Sequence, residues 1–402
     1  MYQIAIFGFG GRCINLLLEL YHLVVDTDTK IKVVAIYDNY FDEVLKSISD
    51  DKINKIKFFI GEAKIYNEDT QEENVYLENE FDLSFISSQN YKHYNSIILA
   101  FKYNKKIFCE KPIVNNLDDL FKIKYAYNPN SYFQTGLTLR YTKMVGIVEK
   151  HLHKIGKLKR VYGREFVNIG HGVHIMLGWR RYKNLSGGMG LEKVVHDYDL
   201  LIYLIEKVFS ISINNIEING IGKRIFWTKE NKQEIIDKIS NDTTWYNNYH
   251  GWEITKKIHQ KIVNDPFEDL DNPNIISDYQ KINMKFLDNE IDLEFEVSIG
   301  GFRNKTQRYY EFFGSAGNII VDVIGGVMKI NTNTESYEID LQGDGTGHAG
   351  GDKYIMQSFI DMLTDTNKDP NMPSFQEAIR STHIGLLAEL SIDQNKPQIF
   401  HV

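Results

Sequence analysis

Gln3-Ile4-Ala5-Ile6-Phe7-Gly8-Phe9-Gly10-Gly11-Arg12-Cys13, followed by an apolar run from Ile14 to Val25, reads as strand, glycine turn and helix. The apolar opening is a short strand, Gly8 permits a tight turn, and Gly10 lets the backbone approach a ligand. A helix starting near Gly11 aims its free N–H groups and positive dipole end in front of the turn, which suits a pyrophosphate. The usual Gly-x-Gly-x-x-Gly/Ala spacing ends here in Cys13, small enough to keep the helix close to the strand. Gly8, Phe9, Gly10, Gly11 and Arg12 are therefore the candidate phosphate-facing residues.

Outward from the turn, a second strand, Ile31 to Tyr37, ends in Asp38. A carboxylate there can accept hydrogen bonds from both adenosine ribose hydroxyls and would repel a 2′-phosphate, so NAD is expected in preference to NADP. The alternative is that Asp38 and Asn39 open a turn, a common role for both residue types. A further strand, Asp82 to Ser87, runs into Ser88-Gln89-Asn90 and a helix through Tyr103. Lys106 to Cys109 is a strand leading into Glu110-Lys111-Pro112. Strands alternating with helices predict a doubly wound parallel sheet, a Rossmann domain over residues 1–130.

Beyond residue 130 the pattern changes. Ile282 to Ile299 and Tyr309 to Val321 alternate as antiparallel strands do when one face is buried. The expectation is an α/β chain whose residues 131–402 form an α+β domain with a large, mainly antiparallel open sheet. The polar stretch 229–273, with Trp245, Trp252 and two prolines, reads as an insertion.

The 402 residues exceed one ordinary core, and 43% hydrophobic with 25% charged residues is globular composition. A net charge of -8 opposes a nucleic-acid footprint, which needs clustered Lys and Arg. No stretch approaches the roughly 20 apolar residues of a membrane span, and Met1-Tyr2-Gln3-Ile4-Ala5 lacks a basic leader, so a cytoplasmic location is expected. Cys13 and Cys109 read as small buried thiols. No Cys-x-x-Cys or His-Glu-x-x-His spacing supports a metal.

Between Gly190 and Phe209, positions 191, 194, 195, 198, 201, 202 and 205 are apolar, while Glu192, His196 and Asp199 fall at i, i+4 and i+7. That spacing predicts one polar stripe on an apolar helix. Composition alone leaves open a solvent-facing stripe or a histidine satisfied in the core.

Several segments together resemble the glucose-fructose oxidoreductase, inositol dehydrogenase and MocA family over most of the chain. Phe81 to Asn90 with His93 resembles its fourth-strand motif, Lys106 to Pro112 its lysine motif, and Gly136 to Tyr141 the Arg-Tyr segment opening its second domain. Ser186-Gly187-Gly188-Met189-Gly190-Leu191-Glu192-Lys193 with His196-Asp197-Tyr198-Asp199 resembles the Gly-rich turn and catalytic-histidine helix. Family members usually carry Asp four residues before this His, where this chain has Glu192. Trp179-Arg180, Asp265 to Gln280 and Gly347-His348-Ala349-Gly350-Gly351-Asp352 look like one subgroup.

The resemblance implies that the stripe lines the cleft beneath a nicotinamide. His196 is then the expected general base for a substrate hydroxyl proton, and Lys111 the donor that stabilises the developing alkoxide. Glu192 would orient His196 or bind a neighbouring hydroxyl, and Asp199 would hold the imidazole or cap a local network. Ser87, Ser88, Asn90, His93, Glu110, Lys111 and Arg180 join the glycine turn and Asp38 as cofactor-binding candidates. Lys111, Arg140, Glu192, His196 and His348 are the substrate-binding candidates, and the loop around His348 is expected to close over the cleft. A surface lysine, a surface arginine and a loop histidine are the plain alternatives for Lys111, Arg180 and His348.

The implied activity is hydride transfer between NAD and a hydroxyl of a sugar, inositol or sugar derivative, in a homodimer or homotetramer paired through the open sheet. Two other readings share these residues. One is a glycosidase using NAD in a cycle of oxidation, elimination, hydration and reduction; the other is a dinucleotide-sensing regulator.

Overall fold

The computed structural model describes residues 1–241, 267–300, 306–343, 348–366 and 369–402. Short apolar runs between polar turns become six parallel strands: β1 (Tyr2–Phe7), β2 (Ile31–Tyr37), β3 (Lys64–Tyr66), β4 (Leu83–Ile86), β5 (Lys106–Cys109) and β6 (Phe133–Thr135). Their spatial order is β3-β2-β1-β4-β5-β6. The order reverses between β1 and β4, and ligands of doubly wound sheets bind in the crevice at such a reversal. Every residue of β4 is buried, as in a parallel strand covered on both faces.

Helix Gly11–Val24 packs on this sheet through Cys13, Ile14, Leu16, Leu17, Leu20 and Val24, a stripe at helical spacing. The first domain also takes material from beyond the boundary at residue 130. β6 lies past it, and helix Gly351–Leu363 returns to this core, with Phe359 set edge-on to Phe85 and Phe108 at 5.7 and 5.8 Å. Periodicity marks such a helix as amphipathic but does not say which core receives it.

The second sheet has nine strands among the described residues: β7 (Leu158–Val167), β8 (Asn215–Lys223), β9 (Tyr279–Phe286), β10 (Ile291–Ile299), β11 (Gln307–Gly314), β12 (Gly317–Asp322), β13 (Val327–Thr332), β14 (Ser336–Asp340) and β15 (Gln398–His401). They run in the order β14-β13-β12-β11-β7-β10-β9-β8-β15. The β7–β10 pair is parallel and the other pairs are antiparallel, as the alternating sequence predicts for most of it.

Helices Val195–Phe209 and Phe375–Gln394 cover one face of this sheet. Tyr198 meets Phe295, and Ala388 and Ile392 lie over Gly220. The opposite face carries half-buried Tyr162, Tyr279, Tyr309, Glu294 and Glu296. Helix Lys232–Asn241 opens the 229–273 segment, whose residues 242–266, Trp245 and Trp252 included, lie outside the described residues. Among the described residues no helix is long and apolar enough to cross a membrane.

Candidate active site

The glycine turn sits at the C-terminal end of β1. Gly8 has φ +94°, and a Cβ there would lie 2.3 Å from Ser88 Cα, so geometry and space both require glycine. Gly10 caps helix Gly11–Val24, and a Cβ on it would have no heavy atom within 4 Å, leaving open space in front of the helix N-terminus. Asp38 accepts from the Phe9 N–H at 2.8 Å and the Tyr40 N–H at 2.7 Å. The turn-forming and turn-holding roles therefore coexist in one carboxylate, each oxygen keeping a further lone pair.

Burial pushes the Asp38 carboxyl above its usual range, against those two N–H groups. Gly8, Tyr37, Asp38, Tyr40, Ser88 and Lys92 line one pocket. Ser88 Oγ is buried there without a hydrogen-bond partner among the described residues. Open space at the helix end, an uncommitted hydroxyl and a strand-end carboxylate fit a dinucleotide. Phe9 contributes its backbone only, since its ring is buried against Phe41.

Several other cofactor candidates act on the protein itself. Ser87 Oγ donates to the Gly8 carbonyl at 2.7 Å. The His93 ring is buried between the Pro112 and Ser88 carbonyls at 2.8 and 3.0 Å, so it ties the lysine motif to the turn after β4. Arg12 is committed to other side chains of the protein. It meets Glu110 Oε1 at 2.8 Å, Asp352 Oδ1 at 2.8 Å and Thr138 Oγ1 at 3.1 Å. Cys13 and Cys109 are buried, and burial pushes both thiols up, Cys13 to about 12, which leaves neither a nucleophile.

Lys111 follows β5 and donates from Nζ to the Glu192 carbonyl at 2.7 Å. Burial draws its ammonium down to about 8, although the Glu192 charge opposes the change. Glu192 lies in a π-helical turn, Gly190–Val194, that precedes helix Val195–Phe209. Its Oε1 accepts from Arg180 Nε at 2.6 Å and its Oε2 from Asn90 Nδ2 at 3.0 Å. Burial alone would raise this carboxyl, but the Arg180 and Lys111 charges outweigh it and hold the group below its usual range.

The wide turn spoils the expected stripe. Glu192 faces Arg180 and Asn90, His196 faces His348, and Asp199 faces Arg140. A π turn holds more residues than an α turn, so i and i+4 across it no longer superpose. His196 is 3% exposed, and neither ring nitrogen has a hydrogen-bond partner among the described residues. Burial, with the charges of Lys111, Arg308 and Lys193 and the neighbouring His348, keeps the imidazole neutral far below its usual range. The His348 ring centroid lies 5.3 Å away, and its Nδ1 faces Asp352 Oδ1 at 3.2 Å.

Two further candidates are engaged within the protein itself, Arg140 and Asp199. Arg140 is buried, with Nε 3.4 Å from Asp199 Oδ2, Nη2 2.8 Å from Glu377 Oε1, and its guanidinium 3.8 Å over the Tyr203 ring. Asp199, thus engaged, does not hold the imidazole. Closure of the loop before His348 concerns residues 344–347, which lie outside the described residues.

Sequence reasoning missed a charged network beneath the histidine. Arg308 on β11 meets Glu165 Oε1 at 2.8 Å and Asp197 Oδ1 at 3.0 Å, Tyr310 donates to Asp197 at 2.6 Å, and Lys193 joins Glu165 at 3.1 Å. Glu165 and Arg308 are directly opposite across the β7–β11 pair, a register that one sequence does not contain. Lys193 Nζ also donates to His171 Nε2 at 3.4 Å, and His171 and His174 stand on helix Ile169–Met176. Two histidines three apart on an apolar helix were the available signal.

Comparison with known proteins agrees with this architecture. The chain is 26% identical over 185 residues to the myo-inositol 2-dehydrogenase of Thermotoga maritima, covering 42% of this chain and 51% of that protein. The curated relatives it matches are spanned over only 33% and 51% of their own length. A structure of levoglucosan dehydrogenase in complex with NADH and levoglucosan aligns at a TM-score of 0.71, with 13% identity and 99% of each chain covered. Myo-inositol 2-dehydrogenase from Lactobacillus plantarum aligns at 0.65, with 15% identity, over 100% of this chain and 99% of that one. Residues 3–132 match the family model "Oxidoreductase family, NAD-binding Rossmann fold", and residues 151–398 match "Oxidoreductase family, C-terminal alpha/beta domain". With both of its domains matched, the chain belongs to the Gfo/Idh/MocA oxidoreductase family and carries that family's NAD-binding Rossmann domain.

Proposed function

We propose that this protein is an NAD-dependent dehydrogenase that oxidises, or in reverse forms, a secondary hydroxyl of a sugar, inositol or related polyol. The observation that carries the reading is His196: a buried neutral imidazole with both nitrogens uncommitted, near the Lys111 ammonium. A buried polar group without a partner is costly in a folded protein unless a ligand completes it. A relative named myo-inositol 2-dehydrogenase and a similar fold solved in complex with NADH and levoglucosan support the substrate class.

NAD, when bound, supplies the hydride acceptor. The chain's own residues do the rest. Lys111 is held by the Glu192 carbonyl and donates to the substrate oxygen, stabilising negative charge as the C–H bond breaks. His196 removes the hydroxyl proton, a task for a neutral imidazole. Glu192, kept anionic by Arg180, fixes the turn that anchors Lys111 and leads into the His196 helix, and offers its remaining lone pairs to a neighbouring substrate hydroxyl. Asp38 receives the adenosine ribose and disfavours a 2′-phosphate.

The half-buried face of the nine-stranded sheet is the surface through which we expect the chain to pair, as a homodimer or homotetramer, and sedimentation equilibrium reads the number of copies. The cytoplasm is the expected location.

The test is to incubate the purified protein with NAD and a panel of polyols, sugar acids and aryl glycosides, following NADH absorbance and aglycone release together. Stoichiometric NADH with a polyol supports the dehydrogenase. Aglycone release without NADH would identify the redox-elimination glycosidase instead, and NAD binding with neither signal would identify the regulator.

A further inference from the structure

A base in a closed pocket must lose its proton before the next turnover, and His196 is almost sealed from water. Three carboxylates share its segment, but each is engaged elsewhere: Glu192 with Arg180 and Asn90, Asp197 with Arg308 and Tyr310, Asp199 with Arg140. The ring packed beside His196 is that of His348, and the His348 side chain is 33% exposed. We propose that His348 is a proton relay for this site, taking the substrate hydroxyl proton from His196 and passing it to water, with Asp352 as its positioning residue. The proposal rests on the dehydrogenase reading above.

The hydrogen-bond pattern sets the direction of the relay. Asp352 is an anion that only accepts, so the His348 Nδ1 facing it at 3.2 Å carries the hydrogen and Nε2 is left as the acceptor. Arg12 meets the same Asp352 oxygen at 2.8 Å, which keeps the carboxylate ionised and fixed. The groups facing the pair are Lys111, Lys193 and Arg308 on the His196 side, and Asp352, Arg12 and Arg308 on the His348 side. The surplus of cations around His196 drives a proton off that ring, and the Asp352 charge favours it on His348.

The balance is simple. The substrate carbon loses its hydrogen as hydride to NAD, and that carbon is oxidised while NAD is reduced. The hydroxyl proton moves to a His196 nitrogen, then through one water between the two rings, which are not hydrogen-bonded to each other, to His348 Nε2, and leaves from the doubly protonated His348 to bulk water. Both histidines end neutral. Arg12 lies in the first turn of the helix that follows the glycine turn, so the positioning pair Asp352–Arg12 also ties the relay to the cofactor end of the cleft.

The experiment uses the full chain with NAD and a polyol on which it forms NADH. His348→Asn should lower kcat by roughly 10- to 100-fold with KM changed less than twofold. Turnover should then depend on buffer concentration, recover at least severalfold with added imidazole, and show a larger solvent deuterium effect. A wild-type kcat and pH profile in His348→Asn, or a loss confined to KM with no rescue, would overturn the relay while leaving the dehydrogenase reading intact. No NADH from the unmodified chain with any polyol would instead overturn that reading, and the relay with it. His348→Gln serves if the first variant folds poorly, judged by NAD binding. Independently of turnover, nitrogen-15 spectra of labelled protein should find His348 as the Nδ1–H tautomer, and Asp352→Asn should abolish that preference. The opposite tautomer in the unmodified chain would overturn the proposal.

Discussion

Arg180 Nε stands 2.6 Å from Glu192 Oε1, and Glu192 is the residue whose carbonyl holds Lys111. The ion pair thus supports both a buried charge and the segment whose carbonyl anchors the Lys111 donor. Arg180→Ala should destabilise the protein by about 2 kcal/mol, less than the 3–5 of a fully buried broken pair because the guanidinium is 23% exposed. The depressed Glu192 carboxyl adds stability that is complete above its ordinary value and is lost as pH falls through the lowered one. Urea titrations of variant and parent should therefore diverge at neutral pH and converge below about pH 4.

Lys111 gives the activity an alkaline limit. Its ammonium is drawn down to about 8, so the donor is progressively lost above that pH, and kcat/KM should fall there. Lys111→Met should lower kcat/KM by roughly 10²–10³-fold and remove the alkaline limb from what activity remains. The stability effect has the opposite sense. Between about 8 and the ordinary lysine value the unfolded chain binds the extra proton, so the parent gains stability as pH rises through that window. The methionine variant lacks the gain. An alkaline limb retained in Lys111→Met would assign it to another group.

Arg140 and Asp199 form a buried interior pair, and their substitution should be read in folding before binding. Arg140→Ala removes a guanidinium that also meets Glu377 and Tyr203, and should cost about 3–5 kcal/mol in urea unfolding. KM of the remaining folded enzyme should stay within about twofold, because the guanidinium is already held by Asp199, Glu377 and Tyr203. A KM raised tenfold at unchanged stability would return Arg140 to the substrate.

Asp38 is expected to choose the cofactor. Asp38→Ala loses the ribose acceptor and also the brace on the Phe9 N–H, so the NAD dissociation constant should rise by roughly 10- to 100-fold, the scale of one or two charge-assisted hydrogen bonds. Discrimination against NADP should shrink at the same time. Because burial raises this carboxyl, NAD affinity of the parent should weaken as pH falls through that raised value, whereas the alanine variant should be flat over the same window. Calorimetric titration at several pH values reads both effects.

The parts legible in the sequence were those fixed by neighbours along the chain. The strand ending at Asp38, the Gly8 turn and the strand Lys106–Cys109 are local patterns, and each stands where its pattern predicts. Position in the cleft was less legible. Arg140 and Arg180 are both arginines beside aromatic residues in sequence, but one is sunk against Asp199 and the other reaches Glu192. Only the packing of the turn Gly190–Val194 and the helix that follows it separates them. The return of Gly351–Leu363 to the first core and the Glu165–Arg308 register are long-range pairings, and the π turn at Gly190 rotates side chains in a way that simple helical spacing does not anticipate.

His196 should show opposite signs in activity and stability. As the group that takes the hydroxyl proton, its loss in His196→Asn should lower kcat by roughly 10²–10⁴-fold with NAD affinity unchanged. The same side chain contributes no hydrogen bond to the fold among the described residues, so unfolding at neutral pH should cost the variant little. Its depressed pKa means that, below the ordinary histidine value, the unfolded chain binds a proton that the folded chain does not. The parent therefore loses stability as pH drops below about 6.5, and the variant should lose less over the same range. A merely structural histidine would give the reverse pattern: a marked loss of stability at neutral pH and an activity that falls only in proportion to the unfolded fraction.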